Sequence, residues 1–105
     1  MTRTLTLAAT AFLFASTASQ AQTRLPAQVS IDNQRAATMT ELLVSDSEGK
    51  VIARLGRPLA AGKKSALKLG KARGCAMVVQ ARFDDEGEVE ETLDLCKEKV
   101  LRFRE

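Results

Sequence analysis

Two cysteines are the residues of this chain whose chemistry depends most clearly on their spacing. Cys75 and Cys96 are the only cysteines, and they flank a segment that turns over an Asp-Asp-Glu-Gly stretch. They do not form the C-x-x-C arrangement of thiol oxidoreductases. In an oxidising compartment such a pair is expected to form a disulfide. Closing this loop should stabilise a small domain by about 3 kcal/mol.

A run of carboxylates between the cysteines could offer oxygen ligands to Ca²⁺. Seven acids and no base lie between residues 84 and 94. The spacing lacks the ordered D-x-D-x-D-G and the distal Glu of an EF-hand loop. A solvated turn followed by an outward strand face explains the same acids, so we expect no cofactor. Weak Ca²⁺ binding is kept as an alternative, with the candidates Asp84, Asp85, Glu86 and Glu88.

Basic side chains dominate the preceding part of the chain. Nine bases and no acid lie between Gly49 and Phe83. They could contact an envelope protein or an anionic envelope polymer, although a merely soluble surface is the alternative. No aromatic residues are interleaved with them, so we expect no nucleic acid partner. The candidate anion-binding or partner-binding residues are Arg57, Lys63, Lys64, Lys68, Lys71 and Arg73.

The usual catalytic sets are missing from the sequence. The chain has no histidine, which removes the commonest general base. Its serines lie in no nucleophile-elbow context, and no Gly-rich phosphate loop precedes a helix. We therefore expect a non-enzymatic binding or envelope-accessory protein. The alternative is a small secreted enzyme inhibitor or enzyme.

The N-terminal residues have the layout of a secretory signal peptide. Arg3 precedes an apolar run over residues 5–15, and Ser19 and Ala21 are small residues at the −3 and −1 positions. The run is too short to span a bilayer, and a buried N-terminal helix is the alternative. We predict a signal peptide over 1–21, a flexible lead-in over 22–27 and a single domain over 28–105. Residues 22–105 would be a soluble monomer in the periplasm or extracellular space.

Apolar residues with a period of two predict strands through most of this domain. The first hairpin turns over Asp46 to Gly49, and a four-residue loop would place Val44 opposite Val51. The same register sets Leu42 opposite Ala53, whereas a shift of one residue would face Leu42 with a base. The predicted strands outside the cysteine segment are 28–32, 40–45, 50–55, 65–69 and a final strand within 97–105.

The cysteine segment itself predicts a β-hairpin. Matching of apolar faces sets Phe83 opposite Val89 and Met77 opposite Leu95, around a three-residue loop at 85–87. The cysteines would then be one step out of register. A bulge near Asp94 or a twist at the open end must bring them together.

A helix is the competing interpretation of the C-terminal part. Apolar residues recur there at steps of four and three, in a segment rich in good helix formers. This pattern would give an α+β fold with a C-terminal helix from about residue 88. The residues that carry the pattern are Val89, Leu93, Cys96, Val100 and Phe103.

Short motifs along the chain resemble a family of small exported proteins of Gram-negative bacteria that has no established function. The motifs are an early strand ending in Asn33, a Thr-Glu-Leu-x-Val-Ser segment from Thr40, Gly74-Cys75, an aliphatic strand, an acidic Gly turn and Asp-Leu-Cys ending at Cys96. A Trp-Gly-containing loop typical of these proteins is replaced here by residues 46–50. The resemblance implies an all-β domain with the cysteine hairpin, and it carries over no functional residues.

We therefore predict an all-β fold. It would be a small antiparallel sheet or sandwich-like domain of about six to seven short strands with one disulfide. It would follow a cleaved signal peptide.

Overall fold

Seven strands and no helix make up residues 24–105, the part of the chain that the computed structural model describes. The all-β prediction is confirmed. The predicted signal peptide lies outside the described residues. The strands are β1 Gln28–Asn33, β2 Met39–Ser45, β3 Val51–Arg54, β4 Lys64–Lys68, β5 Ala76–Phe83, β6 Glu88–Asp94 and β7 Val100–Phe103.

The strands form two sheets packed as a β-sandwich. One sheet has the order β4-β1-β7 and the other has the order β3-β2-β5-β6. All neighbouring strands are antiparallel except β1 and β7, which are parallel. The inward faces of both sheets share one hydrophobic core. Its largest fully buried apolar side chains are Ile31, Met39, Leu42, Met77, Leu95, Leu101, Val44 and Val79.

The two sheets lie closer together along one edge of the sandwich than along the other. Strands β3 and β4 approach each other across the two sheets. At the opposite edge the larger sheet ends in β6 and the smaller sheet ends in β7. Strand β6 is therefore an edge strand, and β5 is its only sheet neighbour.

The cysteine hairpin is present, but its predicted register is wrong by two residues. Met77 lies opposite Leu93 and Ala81 lies opposite Val89. The loop is 84–86 and not 85–87, because the N–H of Phe83 donates to the carbonyl of Gly87 at 2.9 Å. Glu86 takes the left-handed conformation of this turn, with φ 70°. The loop keeps its predicted length of three residues and moves by one position.

The alternative of a C-terminal helix from about residue 88 is wrong. Residues 88–94 form β6, the chain turns over 95–97, and β7 follows. Val89 and Leu93 contribute to the core as strand residues on the inner face of β6. The helical spacing therefore arises from two strands on either side of a turn, and pairing of β6 with β5 overrides helix propensity.

Asp94 makes the local turn that brings the cysteines together. Its Oδ1 accepts from the N–H of Cys96 at 2.9 Å, and its carbonyl accepts from the N–H groups of Lys97 and Glu98. Cys75 lies opposite Leu95, with a 2.9 Å backbone bond between them. The Cys75–Cys96 disulfide then forms across a Cα–Cα distance of 5.4 Å. The disulfide is confirmed. The β5–β6 register runs without a bulge as far as Asp94, and the turn over 95–97 brings the cysteines together.

The register predicted for the first hairpin is also wrong. Val44 lies opposite Ala53, and the register shifts between Val44 and Ser45. The N–H of Asp46 donates to the carbonyl of Lys50 at 2.9 Å, so Lys50 belongs to the turn and β3 begins only at Val51. Val51 is consequently left 40% exposed and does not face Val44.

The Asp46 carboxylate should contribute measurably to the stability of this hairpin. Its Oδ1 accepts from the N–H groups of Glu48 and Lys50, each at 2.9 Å. We expect Asp46→Ala to lower the free energy of unfolding by about 1 kcal/mol, since the released N–H groups lie in an exposed turn and can bind water. Urea denaturation measures the change. Asp46→Asn retains the acceptor oxygen and should cost less; equal losses in the two variants would contradict this role.

Candidate functional site

The six basic candidates lie on the side of the sandwich where β3 approaches β4, but they do not form one cluster. Lys64 and Lys68 are on the outer face of β4, where they lie opposite Asp32 and Gln28 of β1 in the strand register. Arg57 and Lys63 are exposed on the connection from β3 to β4, and Lys71 and Arg73 are exposed on the loop after β4. None of the six forms a side-chain hydrogen bond or ion pair with another residue of the described range.

Lys71 and Arg73 are the candidates that the fold combines into a concave surface. They line a shallow depression together with Lys50, Glu48 and Asp46 of the first hairpin turn. The oxygen of Asp46 that caps the turn is already occupied by two N–H groups. Glu48 is therefore the only exposed carboxylate in a depression with three cationic side chains.

A second depression adjoins the first and shares Lys71 and Ala72 with it. Its lining includes Arg24, Leu25 and Leu69. Leu25 and Leu69 are half-buried against the core, so this part of the surface has an apolar base and a cationic rim. We call the two depressions together the basic groove, with Arg24, Lys50, Lys71 and Arg73 as its cations.

Sequence analysis missed two of these cations as site residues. Lys50 belonged to the long acid-free segment but was expected in the partner strand of the first hairpin, whereas it lies in the turn. Arg24 was expected in a mobile lead-in. The lead-in is held beside β4 by a bond from the N–H of Leu69 to the carbonyl of Ala27, at 2.9 Å. The acid-free segment between Gly49 and Phe83 was the one sequence signal that pointed to Lys50. No sequence signal pointed to Arg24.

The acidic turn between β5 and β6 is occupied by protein donors. Asp84 Oδ1 accepts from the N–H of Thr38 at 3.2 Å. Asp85 Oδ2 accepts from Arg35 Nη2 at 2.9 Å, and its Oδ1 accepts from the N–H of Gly87 at the same distance. These two carboxylates fasten the hairpin tip to the loop between β1 and β2.

The remaining two metal candidates point elsewhere. Glu88 lies 3.2 Å from Arg82 Nε in an exposed ion pair, and Glu86 is exposed at the tip of the turn. Over residues 24–105, the only group of three Cys or carboxylate side chains that converge is Cys75, Asp94 and Cys96. Its two sulfurs are already bonded to each other, so they cannot act as thiolate ligands. The four candidates Asp84, Asp85, Glu86 and Glu88 thus do not converge as a ligand set.

Arg35 connects the hairpin tip to the core. Its guanidinium carbon lies 4.3 Å from the centroid of the Phe83 ring, in a cation–π contact. Its Nε is buried without a hydrogen bond, although Glu105 Oε2 lies 3.5 Å away. A Cβ on Gly87 would lie 2.5 Å from Arg35 Nη1. Gly87 therefore provides the room in which the arginine lies, and this cluster has a structural role.

Comparisons with known proteins bear on the fold. No helix within residues 24–105 is long and apolar enough to cross a membrane. No family model and no curated protein matches the chain. It is similar to the NMR structure of a protein from Eubacterium rectale, with a TM-score of 0.55 and 12% identity, covering 89% of this chain and 82% of that one. A likeness at this identity shows that the two chains share a fold.

Proposed function

We propose that this protein is exported and acts as a non-enzymatic binding protein of the cell envelope, whose basic groove takes anionic groups. The observation that carries the proposal is the basic groove itself, where Lys50, Lys71 and Arg73 face solvent together beside a single exposed carboxylate. Cations that are already paired would have to break a contact before binding a ligand. These three have no such contact among the described residues.

The chemistry of the groove favours phosphate-bearing or carboxylate-bearing polymers and headgroups. Lysine supplies a compact charge with three donors, and arginine supplies a planar fork that matches phosphate and carboxylate. The half-buried Leu25 and Leu69 at the base of the groove can contact the apolar part of such a ligand. The shared chemistry is therefore an anionic group attached to a partly apolar body.

Export is supported by the N-terminal layout of Arg3, the apolar run and Ala21, together with the disulfide. A disulfide persists in oxidising compartments and is rare in the cytosol of mesophiles. The envelope is the compartment where such a protein meets anionic polymers and headgroups. Its net charge also favours this encounter: with Arg3 removed, the Lys and Arg count falls from 16 to 15 against 13 acids, or +2.

Reversal of one charge in the groove tests the proposal. We expect Lys71→Glu to weaken binding to heparin and to phosphatidylglycerol vesicles by about tenfold at low salt, since the reversal replaces an attraction with a repulsion. Lys97→Glu is the matched control, because Lys97 lies in the exposed turn before β7. Equal losses in both variants, or retention independent of salt, would refute a role for the groove. Binding to heparin but not to vesicles would identify a polymer ligand. Binding to vesicles but not to heparin would identify a lipid headgroup.

A further inference from the structure

Strand β6 is a long free edge of the larger sheet. Its seven residues pair only with β5. On the smaller sheet, the last strand on this side is β7, with four residues. An additional strand at the free edge of β6 would extend the larger sheet. Edges of this kind are templates for pairing with another extended chain.

The hydrogen-bond pattern of the hairpin shows which backbone groups of β6 face outward. Leu95 and Gly87 bond to β5 through Cys75 and Phe83. Directly opposed residues in an antiparallel pair alternate between bonded and non-bonded positions. The odd-numbered residues of β6 therefore bond to β5. The N–H and C=O groups of Glu88, Glu90 and Thr92 point to the free edge.

The side chains of β6 form two rows that a neighbouring strand would contact. The outer row is Glu88, Glu90 and Thr92, which lie opposite Arg82, Gln80 and Val78 of β5. The inner row is Val89, Glu91 and Leu93. Val89 and Leu93 are half-buried against the core, whereas Glu91 is exposed although it points to the inner side. The uncovered part of the inner face thus combines apolar surface with a carboxylate.

We propose that the free edge of β6 binds an extended cationic segment of a partner protein, which adds to the larger sheet as an antiparallel strand. The charge of the edge favours this occupant, because three glutamates lie within four consecutive residues, Glu88 to Glu91. Glu88 and Glu90 also contact Arg82 and Gln80 of β5 in exposed positions, whereas the Glu91 carboxylate has no partner among the described residues. The alternation of faces also defines the pattern of the partner. Residues opposite Leu93, Thr92, Glu91, Glu90, Val89 and Glu88 would be apolar, polar, basic, basic, apolar and basic, in that order.

Binding here is independent of the basic groove. The groove adjoins the first hairpin turn and the loop after β4, while β6 and β3 are opposite ends of the larger sheet. A single protein could therefore hold an anionic envelope component on one side and a cationic protein segment on the other.

A designed peptide tests the proposal directly. The probe is a fluorescently labelled, end-capped hexapeptide Val-Thr-Lys-Lys-Val-Lys, titrated with the disulfide-bonded protein and followed by anisotropy. In ¹⁵N spectra, we expect the largest shifts at Glu88, Glu90 and Thr92, because their N–H groups face the edge. A peptide with the lysines replaced by glutamates should bind at least tenfold more weakly. A peptide N-methylated at the alternate residues whose backbone N–H groups face β6 should lose as much affinity. Equal affinity of the methylated peptide would overturn strand addition.

Two variants place the site on the protein. Thr92→Pro removes an outward N–H without removing a bond to β5, since proline is tolerated on the free side of an edge strand. Glu90→Lys reverses one charge of the outer row. We expect each to weaken peptide binding by about tenfold. Glu48→Lys, with the same charge change in the first hairpin turn, should bind as the original protein does.

The remaining outcomes are equally decisive. Binding that survives both β6 variants, or that falls equally in the Glu48→Lys control, would overturn the proposal. So would no binding at millimolar peptide, since the glutamates would then only protect the edge against aggregation. Light scattering would detect self-association of the protein. If Glu90→Lys abolishes that self-association and the peptide does not compete with it, the edge binds a second copy of the chain.

Discussion

Replacing Asn33 with alanine is expected to lower the free energy of unfolding by about 3 kcal/mol, although Asn33 touches no candidate ligand site. Asn33 is fully buried at the end of β1. Its Nδ2 donates to the carbonyls of Ala37 and Leu59 at 2.9 and 3.1 Å, and its Oδ1 accepts from the N–H of Arg35. Alanine would remove these bonds and open a cavity. The carbonyl of Ala37 would lose its donor, whereas the carbonyl of Leu59 would keep the N–H of Met39.

The effect should extend beyond one strand because Asn33 joins three parts of the chain. Its side chain holds the loop between β1 and β2 and the connection from β3 to β4. Its backbone adds bonds to Gly62 and Lys63, at 2.8 and 3.0 Å. Leu59 in turn exchanges two backbone bonds with Met39, at the start of β2. Loss of Asn33 should therefore increase amide exchange in the 57–63 connection as well as in β1.

Asn33→Asp separates hydrogen bonding from packing, since the two side chains have nearly the same shape. A carboxylate would face carbonyl oxygens where the amide donated, so at neutral pH the loss should equal or exceed that of Asn33→Ala. The penalty should shrink as pH falls toward the ordinary range of aspartate pKa values, because the protonated carboxyl can donate one bond. Gln28→Ala, at an exposed position of β1, is the control. Urea denaturation that shows less than 1 kcal/mol for Asn33→Ala would contradict this account.

Strands and their faces could be predicted from the sequence, whereas the registers could not. Alternation correctly placed Leu42, Val44, Met77 and Phe83 on apolar faces, and all four are buried in the core. Both hairpins nevertheless differ from prediction by two residues where paired apolar faces were matched. A two-residue slip returns every side chain to the same face, so alternation cannot detect it. The turns decide the register through Asp46 and through the left-handed Glu86, and these contacts have no periodic signal.

The candidate site could be predicted only as a charge imbalance. Separation of bases and acids along the chain becomes separation across the sandwich, because β3 and β6 are the two edges of one sheet. Which bases share a surface depends on tertiary contacts. Lys71 and Arg73 meet Lys50 because the loop after β4 bonds to β3 through the N–H of Gly70 and the carbonyl of Ile52, at 2.8 Å. The pattern of residues along the sequence does not predict that contact.

Removal of the disulfide by a Cys75→Ala/Cys96→Ala double substitution is expected to lower the free energy of unfolding by about 3 kcal/mol. The bond joins residues 21 apart, and in the chain-entropy model a loop of this length restricts the unfolded chain by that amount. Single domains of this size have total stabilities near the lower end of about 5–15 kcal/mol. The change would therefore remove a large fraction of the stability. Alanine is chosen because Cys96 is buried, where a serine hydroxyl would add its own cost.

The loss of stability should appear first in the segment that crosses from β6 in the larger sheet to β7 in the smaller sheet. Cys75 precedes β5 in the larger sheet, and Cys96 lies in the turn from which the chain passes to β7 in the smaller sheet. Without the bond, β7 would remain attached through its parallel pairing with β1 and the packing of Leu101 and Phe103. We expect amide exchange to rise in β7 and at residues 95–99 before it rises in β2 and β5. Reduction of the original protein should reproduce this pattern. A uniform rise would instead mean that the disulfide acts only through the unfolded chain, and no rise would show that the turn at Asp94 holds the crossing without it.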